Sequence, residues 1–246
     1  MAHPGHELGI HGWLSHMRPA VSILTDGSGH SSSGRLPLTR ELLHSLQVPE
    51  GPIFGRFADR EVYAAILAGD VGFLISLVND LAGDLVARRA TAIVADAAEG
   101  YNPVHDLCCI IAGAACDVAR RDGVDVPQYE YAVADGPDSL RGEAFELDDE
   151  AFAAKMKAAQ MFAPALTDVG ELLARYGEQA FRRETFRLVE DWTTDRFAAG
   201  ACPRYEHFGE ERVTSGLYAR VIRYREHVVP LRSALREWVE STQCVF

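Results

Sequence analysis

Short β-branched runs alternate with longer stretches of helical spacing across the first two-thirds of the chain, and this alternation narrows the fold more than any other feature. Val21–Thr25 is a compact apolar run closed by Asp26-Gly27, which reads as a strand and a turn. A Gly/Ser-rich loop over 26–36 follows. A short helix then opens near Thr39, with Leu42, Leu43 and Leu46 on one face. Residues 52–55 read as a second short strand. From 61 to 88, Ile66, Phe73, Leu77, Leu81 and Leu85 recur at helical spacing, and Gly69-Asp70 splits the stretch into two helices. A strand over 91–95, an apolar helix over 105–121 and a strand over 129–134 continue the pattern.

Strands separated by helices of this length predict an α/β protein with a doubly wound, mainly parallel, Rossmann-like three-layer sheet. The 246 residues, 48% of them hydrophobic, suit one domain over 1–246 with a sizeable core. Such sheets place sites at the carboxyl ends of their strands, here after Thr25 and after residue 95. From about 148 onward the pattern is helical, over 148–162, 166–176 and 178–192 and in a last pair across 210–238. This tail reads as a helical C-terminal extension, which leaves a homo-oligomer open.

A net charge of −12 argues against nucleic acid and anionic membrane as partners, since both need basic footprints. The aromatics and arginines of 205–230, among them Tyr218, Arg220, Arg223, Tyr224 and Arg225, read instead as an amphipathic packing face. No apolar run approaches the ~18 residues of a spanning helix and no signal pattern opens the chain, so a cytoplasmic protein is expected. The five cysteines lack C-x-x-C spacing, and three share one apolar segment, as buried thiols do.

Ala2-His3-Pro4-Gly5-His6-Glu7 packs two imidazoles and a carboxylate into a short turn. His3 and His6, three apart around Pro-Gly, can converge on one ion, and zinc in catalytic sites takes three protein ligands. Asn102-Pro103-Val104-His105-Asp106 offers a third imidazole near a helix start, with Asp96 and Glu99 close by in sequence. The same residues also suit plainer roles: terminal histidines at positions 3 and 6, and a helix-capping one at 105.

At these positions the chain resembles the PIG-L/LmbE-like family of zinc-dependent N-deacetylases. That family carries Ala-His-Pro-Asp-Asp-Glu after its first strand, where this chain has Ala2 to Glu7. Its Thr-Asp-Gly-x-x-Gly is matched by Thr25-Asp26-Gly27-Ser28-Gly29, and its His-Pro-Asp-His by Asn102-Pro103-Val104-His105. Gly55-Arg56-Phe57-Ala58-Asp59 is similar to the segment that bears a substrate-facing aspartate, and the stretches around Lys155 and from Phe181 to Phe186 resemble the family's tail. The likeness spans roughly residues 1 to 190. It implies zinc, or another divalent transition metal, on His3, His6 and His105. It also implies an N-acyl amino sugar or related small molecule as substrate, with Asp59 facing it.

The departures carry as much information. A metal-binding Asp has become His6, which makes the ligand set all-imidazole. The family's general base has become Gly5, which cannot take a proton; losing a base typically costs roughly 10²- to 10⁴-fold. Asp26, Glu99 and Glu7 are the candidate replacements, although Glu7 also suits a charge partner for the helix N-terminus. Asn102 stands where the family has an oxyanion-stabilising histidine, and its amide still donates a hydrogen bond. Arg35, Arg56 and Tyr101 are expected to rim the pocket and contact substrate, as is Arg40. The family has a full strand before its first motif, where this chain shows only Met1. Either the true start lies upstream or another segment fills that place, and without such a strand His3 would sit on a mobile end. The expected activity is metal-dependent amide hydrolysis. The alternatives are a non-hydrolytic step in specialised metabolism on the same site, or non-catalytic ligand binding.

Overall fold

The computed structural model describes residues 1–29, 35–163, 167–198 and 200–242. A 3₁₀ turn at His6–Leu8 leads to helix α1 (His11–Met17) and strand β1 (Val21–Thr25). Then come α2 (Leu36–Ser45), β2 (Glu50–Phe57), α3 (Asp59–Ala68), α4 (Val71–Arg88), β3 (Ile93–Asp96), α5 (Pro103–Arg121) and β4 (Gln128–Tyr131). The tail holds β5 (Glu143–Glu146), α6 (Asp149–Phe162), α7 (Thr167–Tyr176), β6 (Arg183–Leu188), α8 (Arg204–Thr214) and α9 (Val229–Ser241). The protein is mixed α/β. Its chain forms two compact units: Met1–Asp59 with Tyr129–Leu188, and Arg60–Gln128 with Val189–Phe246.

In the first unit β1 and β2 pair in parallel, Ile23 opposite Phe54 and Thr25 opposite Phe57. The other edge of β1 takes the amino terminus. The Met1 amine donates to Ser22 O at 2.9 Å and Leu24 N donates to Met1 O at 3.0 Å, the pattern of a parallel bridge. Met1-Ala2 therefore occupies the place beside β1, and His3 is 7% exposed rather than on a mobile end. On the far side Leu8, Leu42, Ala158 and Phe162 form a buried cluster, which is where the apolar face of α2 meets α6.

The expected helix over 178–192 is corrected. After a 3₁₀ turn at Glu178–Arg182 the chain enters β6, which pairs antiparallel with both β5 and β4. Cross-strand charge decides it: Arg183 reaches Glu146 at 2.5 Å and Arg187 binds the buried Glu130, and such opposed pairs favour a strand. β5 carries no apolar run and was not expected at all.

β6 also supplies Glu184, which anchors α1. Its carboxylate accepts from Gly12 N (2.8 Å) and Trp13 N (2.7 Å) at the first turn of α1 and from Lys155 Nζ (2.9 Å); Lys155 also donates to Gly9 O.

In the second unit α4 and α5 lie side by side and α9 packs on both, burying Leu74, Leu77, Leu107, Leu231 and Leu235. The thiols of Cys108, Cys109 and Cys116 are buried on α5, and burial pushes Cys108 and Cys116 up to about 12. They are inert packing groups. Cys202 is exposed, and Cys244 lies outside the described residues. Among the described residues no helix is long and apolar enough to cross a membrane.

Candidate functional site

Thr25 ends β1 with a buried hydroxyl, and that hydroxyl organises the first motif. Its oxygen donates to Ala2 O (3.2 Å), accepts from Gly27 N (3.3 Å) and lies 2.8 Å from His3 Nδ1. With its only hydrogen given to Ala2, Thr25 must accept from the ring. The proton of neutral His3 therefore sits on Nδ1, and Nε2 carries the lone pair. Asp59 reinforces this choice: its Oδ1 lies 2.9 Å from Nδ1, at ion-pair distance but outside hydrogen-bond alignment.

Asp59, expected to face substrate, is instead buried against His3 and accepts from Gly29 N at 2.5 Å. Burial works against its ionisation. The close contact with His3 and the hydrogen bond from Gly29 N outweigh it and hold the carboxyl well below the usual carboxylate range.

Two glycines let the backbone reach this arrangement. Gly5 turns the chain at φ 106°, a region closed to most side chains. At Gly27, φ 68°, a Cβ would meet Pro4 Cδ at 2.8 Å and Arg35 Nε at 2.9 Å. Arg35 Nε is buried and has no hydrogen-bond partner among the described residues. The loop between, 30–34, lies outside the described residues.

His6 follows Gly5 and stands edge-on to His3, ring centroids 5.2 Å apart at 87°. Glu7 turns inward. Its carboxylate accepts from Thr39 Oγ1 (2.5 Å) and Gly5 N (2.7 Å), and burial raises its pKa despite those bonds. It is a buried tie between the motif and α2, not a base poised for substrate. Asp26 is half-buried and caps its own loop by accepting from Ser28 N at 2.9 Å. Arg56 is exposed and stacks on Phe57, and Arg40 pairs with Glu50 at 2.6 Å.

The second motif belongs to the other unit. Asn102 caps α5, its Oδ1 accepting from Val104 N (2.9 Å) and its amide donating to Tyr63 Oη (3.3 Å). The expected oxyanion donor thus serves as a helix cap. His105, 3% exposed, sits in the first turn with its ring 6.1 Å from that of Tyr101. Asp106 closes the loop by accepting from Gly100 N, and Glu99 stands half-buried just before it. Within the first unit, then, His3, His6, Asp59 and Thr25 are gathered in one place. In the sequence Thr25 stands out only through the Thr-Asp-Gly likeness, and its part in orienting His3 is visible only in the structure.

The pair fits a nitrogen-bound ion. Two imidazoles sharing zinc at Zn–N distances of about 2.0–2.1 Å in tetrahedral geometry have ring centres roughly 5 Å apart. A carboxylate behind the distal nitrogen of a ligating histidine is the usual supporting contact. Among the described residues no group of three or more His, Cys, Asp or Glu is arranged to hold a metal ion. Comparison with family models, curated proteins and solved structures gives no match.

Proposed function

We propose that the chain is a metal-dependent hydrolase that removes an N-acyl group from an amino sugar or a related small molecule, in the manner of the PIG-L/LmbE-like deacetylases. The observation that carries this reading is His3: buried, with Nδ1 fixed by Thr25 and Asp59, and with His6 at a ligand's distance. His3 and His6 would hold zinc or another divalent transition metal, and the sequence resemblance assigns the third ligand to His105. A bound zinc supplies Lewis acidity toward the amide carbonyl and toward water.

The chain's own residues divide the remaining work. Asp59 and Thr25 orient His3. With Gly5 unable to take a proton and Glu7 committed to Thr39, the base is Asp26 or Glu99. Arg35, whose Nε has no hydrogen-bond partner among the described residues, is the cation for an anionic substrate group beside the motif. The same reading makes β1 and β2 part of a doubly wound, mainly parallel sheet, in a cytoplasmic enzyme that acts on a small molecule and not on nucleic acid.

Zinc-loaded protein assayed on a panel of N-acetyl amino sugars tests the proposal. Deacetylation should occur, fall to background in His3→Ala and drop roughly 10²- to 10⁴-fold in either Asp26→Asn or Glu99→Gln, whichever removes the base. The glycine at position 5 favours a second reading, in which the metal site serves a non-hydrolytic reaction or plain ligand binding. Zinc retention without hydrolysis of any panel member would select it.

A further inference from the structure

The second unit contains a cleft of about 430 Å³, which shares Tyr101 and Asn102 with the hydrolase reading and otherwise lies outside it. This volume is within the range of small-molecule sites, roughly 300–1,000 Å³. Two edge-to-face aromatic pairs line it: Tyr101 with Phe208, centroids 5.8 Å apart at 75°, and Tyr63 with Tyr218, 6.1 Å apart at 78°. Phe208 stays 45% exposed, so apolar ring surface faces solvent there. On α8 the positions 205, 208 and 212 follow one another at helical spacing, which is why Tyr205, Phe208 and Arg212 all reach the cleft.

The charged groups of the lining are mostly cationic. Tyr205 lines the cleft at 6% exposure, and its hydroxyl has no hydrogen-bond partner among the described residues. Burial, with the nearby carboxylates of Asp106 and Glu206, raises its pKa, so it stays an O–H donor. Arg212 and Arg220 also line the cleft, and among the described residues no ion pair neutralises them. Their neighbours differ: Arg223 is bound by Glu206 (3.1 Å) and Glu210 (2.7 Å), and Arg225 by Asp195. Glu211 is the only carboxylate in the lining, against two guanidinium groups.

We propose that this cleft binds a small aromatic carboxylate, its ring among the two aromatic pairs and its carboxylate on Arg212 and Arg220. Neither feature suffices alone. A neutral sugar would leave the arginines idle, and inorganic phosphate would leave the rings uncovered. The match between planar guanidinium and carboxylate supplies direction, and the aromatic walls supply contact area. The proposal goes beyond the hydrolase reading and does not depend on a metal.

Calorimetric titration of the full chain in chelator at physiological salt tests it, because no ion is then present to bind a carboxylate. The probes are indole-3-acetate, its uncharged isostere indole-3-acetamide, and cyclohexylacetate, which keeps the charge and lacks the aromatic ring. Indole-3-acetate should bind, with each of the others at least ~10-fold weaker, in line with the weight of a charged hydrogen bond or a good aromatic contact. The double variant Arg212→Ala/Arg220→Ala should lose ~10-fold or more while melting like the parent, since both side chains are exposed. Phe208→Ala should weaken the acid and the amide alike. Equal affinity for acid and amide, an unchanged double variant, or no binding of indole-3-acetate would overturn the proposal.

Discussion

Among the described residues of the first unit, Lys155–Glu184 and His3–Asp59 are both buried, and they are built for different ends. Lys155–Glu184 is saturated by the fold: the carboxylate takes two backbone N–H groups of α1 besides the ammonium, and the ammonium takes Gly9 O. Each partner comes from an element that the pair joins, so it serves as a clamp. His3–Asp59 is directional. Asp59 and Thr25 act on a single ring nitrogen and thereby define the chemistry of the other, and the backbone around them depends on glycines at positive φ. Burial and charge alone therefore do not mark a site. What marks one is a polar arrangement that fixes the state of an atom it does not itself engage.

This comparison is broken most easily at the clamp. Glu184→Gln removes the charge that Lys155 needs in a dry site, and unfolding in urea should show a loss of about 3–5 kcal/mol. Adding Lys155→Met should return part of that loss, because the stranded ammonium goes with it. If Glu184→Gln unfolds at the parent's urea midpoint, the clamp carries no stability.

The next effect is read with pH. His11 is buried beside the clamp; burial, with the charge of Lys155, lowers it to about 4 from 6.5. Folded His11 stays neutral where the unfolded chain would protonate it. Its contribution is thus fully present above pH ~6.5 and is lost as the pH falls toward about 4, on the order of 3 kcal/mol. Asp59 acts lower on the scale: its depressed folded pKa gives stability present above pH ~4 and lost on further acidification. Urea midpoints at pH 7.5 and 4.5 measure the first stage, and His11→Leu should flatten it. A slope that survives in His11→Leu assigns the loss elsewhere.

At the directional pair the expected effects fall on binding rather than folding. Asp59→Asn should weaken metal affinity ~10- to 100-fold, the usual weight of a partner behind a ligating histidine. Thr25→Val, which keeps the shape and deletes the hydroxyl, should cost about 1 kcal/mol of stability and under ~10-fold in affinity. Larger stability losses than binding losses in both variants would make this pair a second clamp.

The sequence carried the helices and the first two strands well, because their apolar spacing is local. Val21–Thr25, the break at Gly69-Asp70 and the long helix ending at Arg121 all stand where periodicity puts them. β5 and β6 were illegible for the opposite reason. Their partners meet across strands, Arg183 with Glu146 and Arg187 with Glu130, and that is a property of pairing and not of either segment alone. The motif histidines could be read from spacing. The roles of Asp59 and Glu7 could not, since distance along the chain does not say which way a carboxylate turns. Asn102, expected as an oxyanion donor, uses its side-chain oxygen to cap α5, a role its place before Pro103 is suited to.

The most direct test of the account is zinc binding by the full chain, read by competition with a chromophoric chelator at neutral pH. One equivalent should bind, and His3→Ala and His6→Ala should each abolish it while the protein stays folded. Failure of the parent to take up zinc, or undiminished uptake by His3→Ala, would contradict it.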